Sequence, residues 1–181
     1  VQLRPLPAIC NAEKISPSQM KHVQAAHNSD SEHPMTSPQL DPNVTTAIED
    51  SFAKQGLMTT IGAELHLVAS GEVRLRINAS ESLTQHHGFL HAGIIGTILD
   101  SSCGWASQTL MPVGTEVLTV EYKLNLLRPA AGAHFEGRGT VVRAGTTLTA
   151  AEAAFYTIDD PDRLIATMTA TLIGVRPQSS E

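Results

Sequence analysis

Residues 90–110 hold Ile94, Ile95, Ile98, Leu99, Cys103, Trp105 and Ala106 with no proline, and in a helix these apolar side chains surround the axis on most sides. A helix that is apolar nearly all round has to be covered by other structure. No apolar run in the chain approaches the roughly 20 residues that a bilayer-spanning helix needs, so this segment reads as the core helix of a soluble domain. Whatever the chain folds into must wrap it.

The flanking patterns supply the wrapping. Residues 61–68 and 72–77 read as two strands about Ser70-Gly71, with alternation clearest in Val73-Arg74-Leu75-Arg76-Ile77. Four more strands follow the helix, at 116–127, 133–143, 147–157 and 164–175. Their connections, Pro129-Ala130-Ala131-Gly132, Ala144-Gly145-Thr146 and Asp159-Asp160-Pro161-Asp162, are all short enough for antiparallel hairpins. Ahead of everything, Asn43 or Thr45 is placed to cap a short helix through Ile48, Phe52 and Leu57, with Gly56 as its stop signal. The order predicts an α+β domain: an antiparallel sheet of about six strands wrapped around one long central helix. Gly93, Gly96 and Gly104 each cost the helix about 1 kcal/mol against alanine, and are expected where sheet or a neighbouring helix approaches its backbone.

Composition locates the domain. None of the 13 glycines precedes Gly56 and no aromatic residue precedes Phe52. Residues 1–42 carry Pro5, Pro7, Pro17, Pro34, Pro38 and Pro42 among serines, too little apolar surface to offset ordering entropy, and read as a disordered tail. That tail has no apolar stretch of the secretory kind, and organelle targeting stays open for it. The domain is expected at 43–176, with a second tail at 177–181. The net charge of −6 argues against a general nucleic-acid binder. Two cysteines, Cys10 and Cys103, make a disulfide-stapled module a poor fit. A cytoplasmic protein with no membrane and no nucleic-acid partner is the expectation.

Asp100 does not belong in the middle of Ile94-Ile95-Gly96-Thr97-Ile98-Leu99-Asp100-Ser101-Ser102-Cys103. A carboxylate taken into apolar surroundings needs partners, a shifted pKa or water, so Asp100 is either hydrogen-bonded at a wet edge or a catalytic base or nucleophile. At the start of the same helix, Gln85-His86-His87-Gly88-Phe89-Leu90-His91-Ala92-Gly93 forms a glycine-punctuated loop. The N–H groups near Ala92 and Gly93 are expected to point out unsatisfied, where the helix dipole favours an oxyanion.

The stretch from Gln85 to Asp100 resembles the signature of hotdog-fold acyl-CoA thioesterases of the phenylacetic-acid-degradation type. Residues 118–130, Leu-Thr-Val-Glu-Tyr-Lys-Leu-Asn-Leu-Leu-Arg-Pro-Ala, are similar to the family's third strand, which ends in Pro-Ala. The resemblance covers roughly residues 44–175. One departure stands out: Ala92 sits where the family usually has the first glycine of His-Gly-Gly, and an amide donor survives that change. The resemblance implies a hotdog fold and hydrolysis of an aryl- or fatty-acyl-CoA. Asp100 would be general base or nucleophile, the Ala92 N–H would hold the oxyanion, and Gln85 would position thioester or water. Thr119 would offer its hydroxyl to that water, and His91 would orient the loop. It also implies pantetheine and phosphate contact at Arg143, Ala144, Gly145, Thr146, Thr147 and Leu148, with Gly93 beside the substrate. Coenzyme A enters only as part of substrate and product, and no cofactor or metal is expected.

Ala92 and Asp100 are eight positions apart, about 12 Å along one helix, which an aspartate cannot span. If both act on one carbonyl, Asp100 must come from a second subunit whose helix runs antiparallel to the first. The resemblance implies the same, a homodimer with two sites, and a dimer of dimers is the expected further assembly, its arrangement open. Lys123, Arg128, Arg138 and Arg143 against Glu136 leave an excess of three positive charges for coenzyme A phosphates. Leu83, Phe89, Trp105 and Met111 are available for an acyl pocket. Other readings are a zinc site at His86, His87 and His91, a hotdog hydratase or dehydratase using His91 with Asp100, and a non-catalytic acyl-CoA binding protein.

Overall fold

The computed structural model describes residues 40–176, so the expected tails lie outside the described residues except for 40–42. Helix α1 (Pro42–Lys54) is followed by the short α2 (Gly56–Ile61). The cap of α1 is Asp41, whose carboxylate accepts the Asn43 N–H at 2.9 Å. Neither Asn43 nor Thr45 takes that role, because Pro42, with its fixed φ and missing N–H, suits the first helical position and makes the residue before it the cap. Gly56 opens α2 rather than stopping α1; α1 ends at the extended Gln55, and α2 at Gly62, in the left-handed region at φ 67°. Val44 and Ile48 of α1 are buried, and the Phe52 ring lies 5.5 Å from that of Trp105.

Strands β1 (Ala63–Ala69) and β2 (Glu72–Asn78) precede the long helix α3 (Ala92–Gln108). Strands β3 (Glu116–Leu126), β4 (His134–Ala144), β5 (Leu148–Thr157) and β6 (Asp160–Val175) follow it. Each lies within a few residues of its sequence expectation. The sheet is six-stranded in the order β1-β2-β4-β5-β6-β3, with every pair antiparallel. It curls over α3 as a hotdog fold.

The first expected hairpin does not form. β3 pairs with β6 at the far edge, so two strands separate it from β4. Three interstrand steps are about 14 Å, which an extended connection of about seven residues covers. That connection is tied down on its way: the Leu127 and Arg128 N–H groups donate to Ile165 O at 2.9 and 3.1 Å, and Leu90 N–H donates to Ala130 O. β6 also starts earlier than expected and includes Pro161. β3 pairs with β6 only from Ala166 onward, so the missing proline N–H interrupts no ladder on that side.

The inward faces of the strands meet α3. Val73, Leu75, Phe135, Phe155, Ile165, Met168 and Leu172 pack with Ile98, Leu99 and Cys103 in the core. The closest approach is made by glycines of the sheet, not those of the helix. A Cβ at Gly139 would sit 2.5 Å from the Ser102 carbonyl oxygen and 2.7 Å from Cys103 N, and one at Gly137 would sit 2.5 Å from Ile98 Cγ2. At Gly96 and Gly104 a Cβ would meet only ordinary contacts of 3.7 and 3.9 Å. The seat of α3 is therefore cut into β4.

On the outer face Glu136 is 3% exposed. It accepts from Arg138 Nε at 2.6 Å and Arg76 Nε at 2.9 Å, with Arg74 and His66 each 4.0 Å away. Arg138 also lies 4.6 Å over the Tyr156 ring. Burial pushes the Glu136 carboxyl up, but the hydrogen bonds from Arg138 and Arg76, with their charges, hold it below its ordinary value. Of the expected basic strip, Arg138 is therefore committed to Glu136 within β4, and Arg76 ties β2 to β4 through the same carboxylate.

Candidate active site

Asp100 lies half-buried on the one face of α3 that the sheet's core does not cover. Thr119 Oγ1 donates to its Oδ1 at 2.7 Å. This meets the requirement that the carboxylate have a partner. A β-bulge between Thr119 and Glu121 makes the pairing possible. Thr119 and Tyr122 are an odd number of residues apart and would face opposite sides of a regular strand. The extra residue lets both reach α3, since a Cβ at Gly96 would lie 3.9 Å from the Tyr122 hydroxyl and 3.7 Å from Leu124 Cδ2. β3 thus runs back along the helix, with Thr119 level with Asp100 and Tyr122 level with Gly96.

The Asp100 end opens into a cleft of about 620 Å³. One wall is α1, which presents Ala47, Asp50, Ser51 and Lys54, with Gln55 just past its end. The others are Ser101, Gly104, Trp105 and Gln108 of α3 and Gly114 to Val117 with Thr119. The sequence reading missed α1 as a wall. Its signal was present in the spacing of those residues, which puts them on one helical face while Val44, Ile48 and Phe52 take the core face. Below the cleft, burial pushes the Cys103 thiol up to about 12, with Asp100 and Glu152 adding to the rise.

The other end of α3 has a separate cleft, of about 440 Å³. Gln85, Phe89, Leu90, Ala92 and Ile95 line it with residues 126–130. The loop is fixed by backbone bonds from Gln85 N to Phe89 O and Gly88 N to Gln85 O, and Gly88 turns it at φ 82°. Gln85 Oε1 accepts the His87 N–H. His91 caps α3: its Nδ1 accepts the Gly93 N–H at 2.9 Å and its carbonyl accepts from Ile94 and Ile95. Two free N–H groups were expected here, and Gly93's is occupied by His91. The Ala92 N–H has no acceptor among the described residues, so it is the donor left for an oxyanion.

The two clefts share no lining residue. The structure brings Asp100 to Thr119 and Gln85 to Ala92, but does not bring either pair to the other. The hairpin Arg143 to Leu148 turns at the Thr119 end of the sheet, where Leu118 and Leu148 both pair with Ile173. Gly145 N–H donates to Leu148 O at 3.0 Å, and a Cβ there would fall 2.6 Å from that oxygen. Of the expected pocket residues, Trp105 lines the first cleft and Phe89 the second. Met111 instead packs over Gly174. Among the described residues no three of His, Cys, Asp or Glu are grouped to hold a metal ion.

Comparison with known proteins shows to which class this fold belongs. The thioesterase superfamily matches residues 87–163. A candidate esterase of Halobacterium salinarum is 36% identical, over 67% of this chain and 83% of its own. The crystal structure of a thioesterase family protein from Silicibacter pomeroyi is 47% identical, covers 74% of this chain and 99% of its own, and superposes with a TM-score of 0.71. The PaaI protein of the Escherichia coli phenylacetic acid degradation operon shares the fold, with a TM-score of 0.68 at 11% identity over 75% of this chain and 96% of its own. The chain belongs to the thioesterase superfamily. It is a hydrolase of the thioesterase and esterase type.

Proposed function

We propose that the protein hydrolyses acyl-CoA thioesters at a site assembled from two copies of the chain. Gln85 and the Ala92 N–H come from one copy, and Asp100 with Thr119 from the other. The observation that carries this reading is the separation of the two clefts at opposite ends of α3, about 12 Å along one helix. Antiparallel pairing of two such helices puts each cleft of one kind against a cleft of the other.

In this site the thioester carbonyl oxygen accepts from the Ala92 N–H, beside the positive end of the helix dipole. Asp100 takes a proton from water and the resulting hydroxide adds to the carbonyl carbon. The tetrahedral oxyanion rests on the Ala92 N–H, then collapses and expels the coenzyme A thiolate. Attack by the Asp100 carboxylate itself, through an anhydride, uses the same arrangement. Thr119 holds the carboxylate in aim through its 2.7 Å bond, and Gln85 orients the thioester. The hairpin from Arg143 to Leu148 is the surface for pantetheine and phosphates, supported by its cationic side chain, sharp backbone and exposed Leu148.

Purified protein offered acyl-CoAs from acetyl to palmitoyl and phenylacetyl, with a thiol reagent present, is expected to release free thiol. Asp100→Asn is expected to lose at least about 10³-fold in kcat, in the range seen when a group made only for the transition state is removed. Full activity of that variant would contradict the reading, and hydration of crotonyl-CoA without thiol release would favour a hydratase.

A further inference from the structure

Tyr122 is the polar side chain on this seam with no assigned task. Its hydroxyl lies over Gly96, four residues from Ala92 and four from Asp100 on the same face of α3. That is one helical turn, about 6 Å along the axis, from each reacting group. The bulge at Val120 aims it there, and its O–H has no hydrogen-bond partner among the described residues. Nothing in the packing of the core requires a phenol at a side chain that is 49% exposed in the single chain.

The two-copy site, on which this inference rests, gives that position a meaning. If Ala92 of each helix faces Asp100 of the other, the midpoint, Gly96, falls beside the twofold axis. The hydroxyls of both Tyr122 residues then stand between the two sites. Coenzyme A, large and anionic, has to leave towards solvent, so the arm of the substrate that points at the axis is the acyl group. It has about 6 Å to run before it meets the tyrosines. Asp100 of each copy, one helical turn from Gly96, disfavours a second carboxylate on that arm.

We propose that Tyr122 sets acyl specificity: it closes the acyl pocket at the axis and donates a hydrogen bond to an uncharged oxygen substituent on a short acyl group. A site built to hydrogen-bond a substrate oxygen rejects the analogue lacking it far more strongly than an apolar pocket rejects an extra group. The substrate class is therefore a compact hydroxy- or oxo-acyl thioester, and long unbranched chains are excluded.

The test compares 3-hydroxybutyryl-CoA with butyryl-CoA, and a straight-chain series from acetyl to palmitoyl, on the full chain, Tyr122→Phe and Tyr122→Ala. Tyr122→Phe is expected to lower kcat/KM for the hydroxyacyl substrate at least about 10-fold while changing butyryl-CoA less than 2-fold, and Tyr122→Ala to extend the accepted chain length. Equal effects of Tyr122→Phe on both substrates, or an unchanged length profile in Tyr122→Ala, would overturn the proposal. Calorimetric binding of the same two thioesters to Asp100→Asn and to Asp100→Asn with Tyr122→Phe reads the preference without turnover. A lost hydroxyl preference there supports the role of Tyr122 even if hydrolysis proceeds otherwise, and a preference that survives removal of the phenol refutes it.

Discussion

The two ends of α3 are built on different principles. At the Asp100 end the polar group is a side chain, held by a hydroxyl from a bulged edge strand and walled by the polar face of α1. At the Ala92 end it is a backbone N–H, left over after His91 has capped its neighbour, in a cleft lined mainly by Phe89, Leu90, Ile95, Leu126 and Leu127. In the proposed site the first end supplies the base, Asp100, and the second the oxyanion donor, the Ala92 N–H. On that proposal each is half of a hydrolytic site, and the separation of about 12 Å along one helix is what asks a second copy for the other half.

Ala92→Pro tests the donor end most severely. Ala92 is the first residue of α3 and His91 already has φ −66° and ψ 139°, the conformation that precedes proline. Proline there leaves the helix intact and deletes the N–H alone. It is expected to lower kcat by about 10² to 10³-fold with the melting temperature held, the loss typical of one oxyanion donor. Activity within 2-fold of the parent would remove the Ala92 N–H from the chemistry.

At the base end Thr119→Val keeps the shape and deletes the bond to Asp100. The expected loss is about 10-fold in kcat, with KM little changed, since a bond to a charged group is worth about 1.5 kcal/mol or more. A change confined to KM would mean that Thr119 binds substrate rather than aiming the carboxylate. Thr119→Ser should recover most of the loss.

The smallest expected effect on activity comes from a third region, which sharpens the contrast. The Glu136 network on the outer face is charged but structural. Glu136→Gln is expected to leave kcat/KM within 2-fold while costing about 1 to 2 kcal/mol of stability, a modest figure because the arginines around it are about a third exposed. Its pH signature follows from a carboxyl held below the ordinary value of 4.5. The stability it contributes is present above that value and is lost as pH falls through the lower folded value. Thermal melts from pH 7 to pH 3 should therefore separate parent and variant at neutral pH and bring them together in acid.

Much of this architecture was legible in the chain. The buried helix, the six strands and the misfit of Asp100 follow from periodicity and from the cost of burying charge, and the helix rise alone indicates a divided site. What was not legible depends on long-range pairing. Nothing local to Pro129-Ala130-Ala131-Gly132 says that β3 lies beside β6 instead of β4, because a short connection suits a hairpin or a crossing equally. The bulge at Val120 is invisible too, for residues 116–126 alternate no differently around it, yet it decides that Thr119 and Tyr122 share a face. The Gly93 N–H was expected to be free because a histidine cap through Nδ1 has no sequence signal as plain as that of Asp41.

The divided site is tested most directly by mixing two inactive variants. Asp100→Asn and Gln85→Ala, or Ala92→Pro if Gln85→Ala retains activity, are unfolded together in equal amounts and refolded. Random pairing gives hybrids in half of the dimers, and each hybrid holds one intact site and one doubly altered site. The account predicts recovery of about a quarter of the parent activity, from variants that separately have almost none. Mixtures that form hybrids yet stay as inactive as their components would show that both groups act within one chain, and would contradict it.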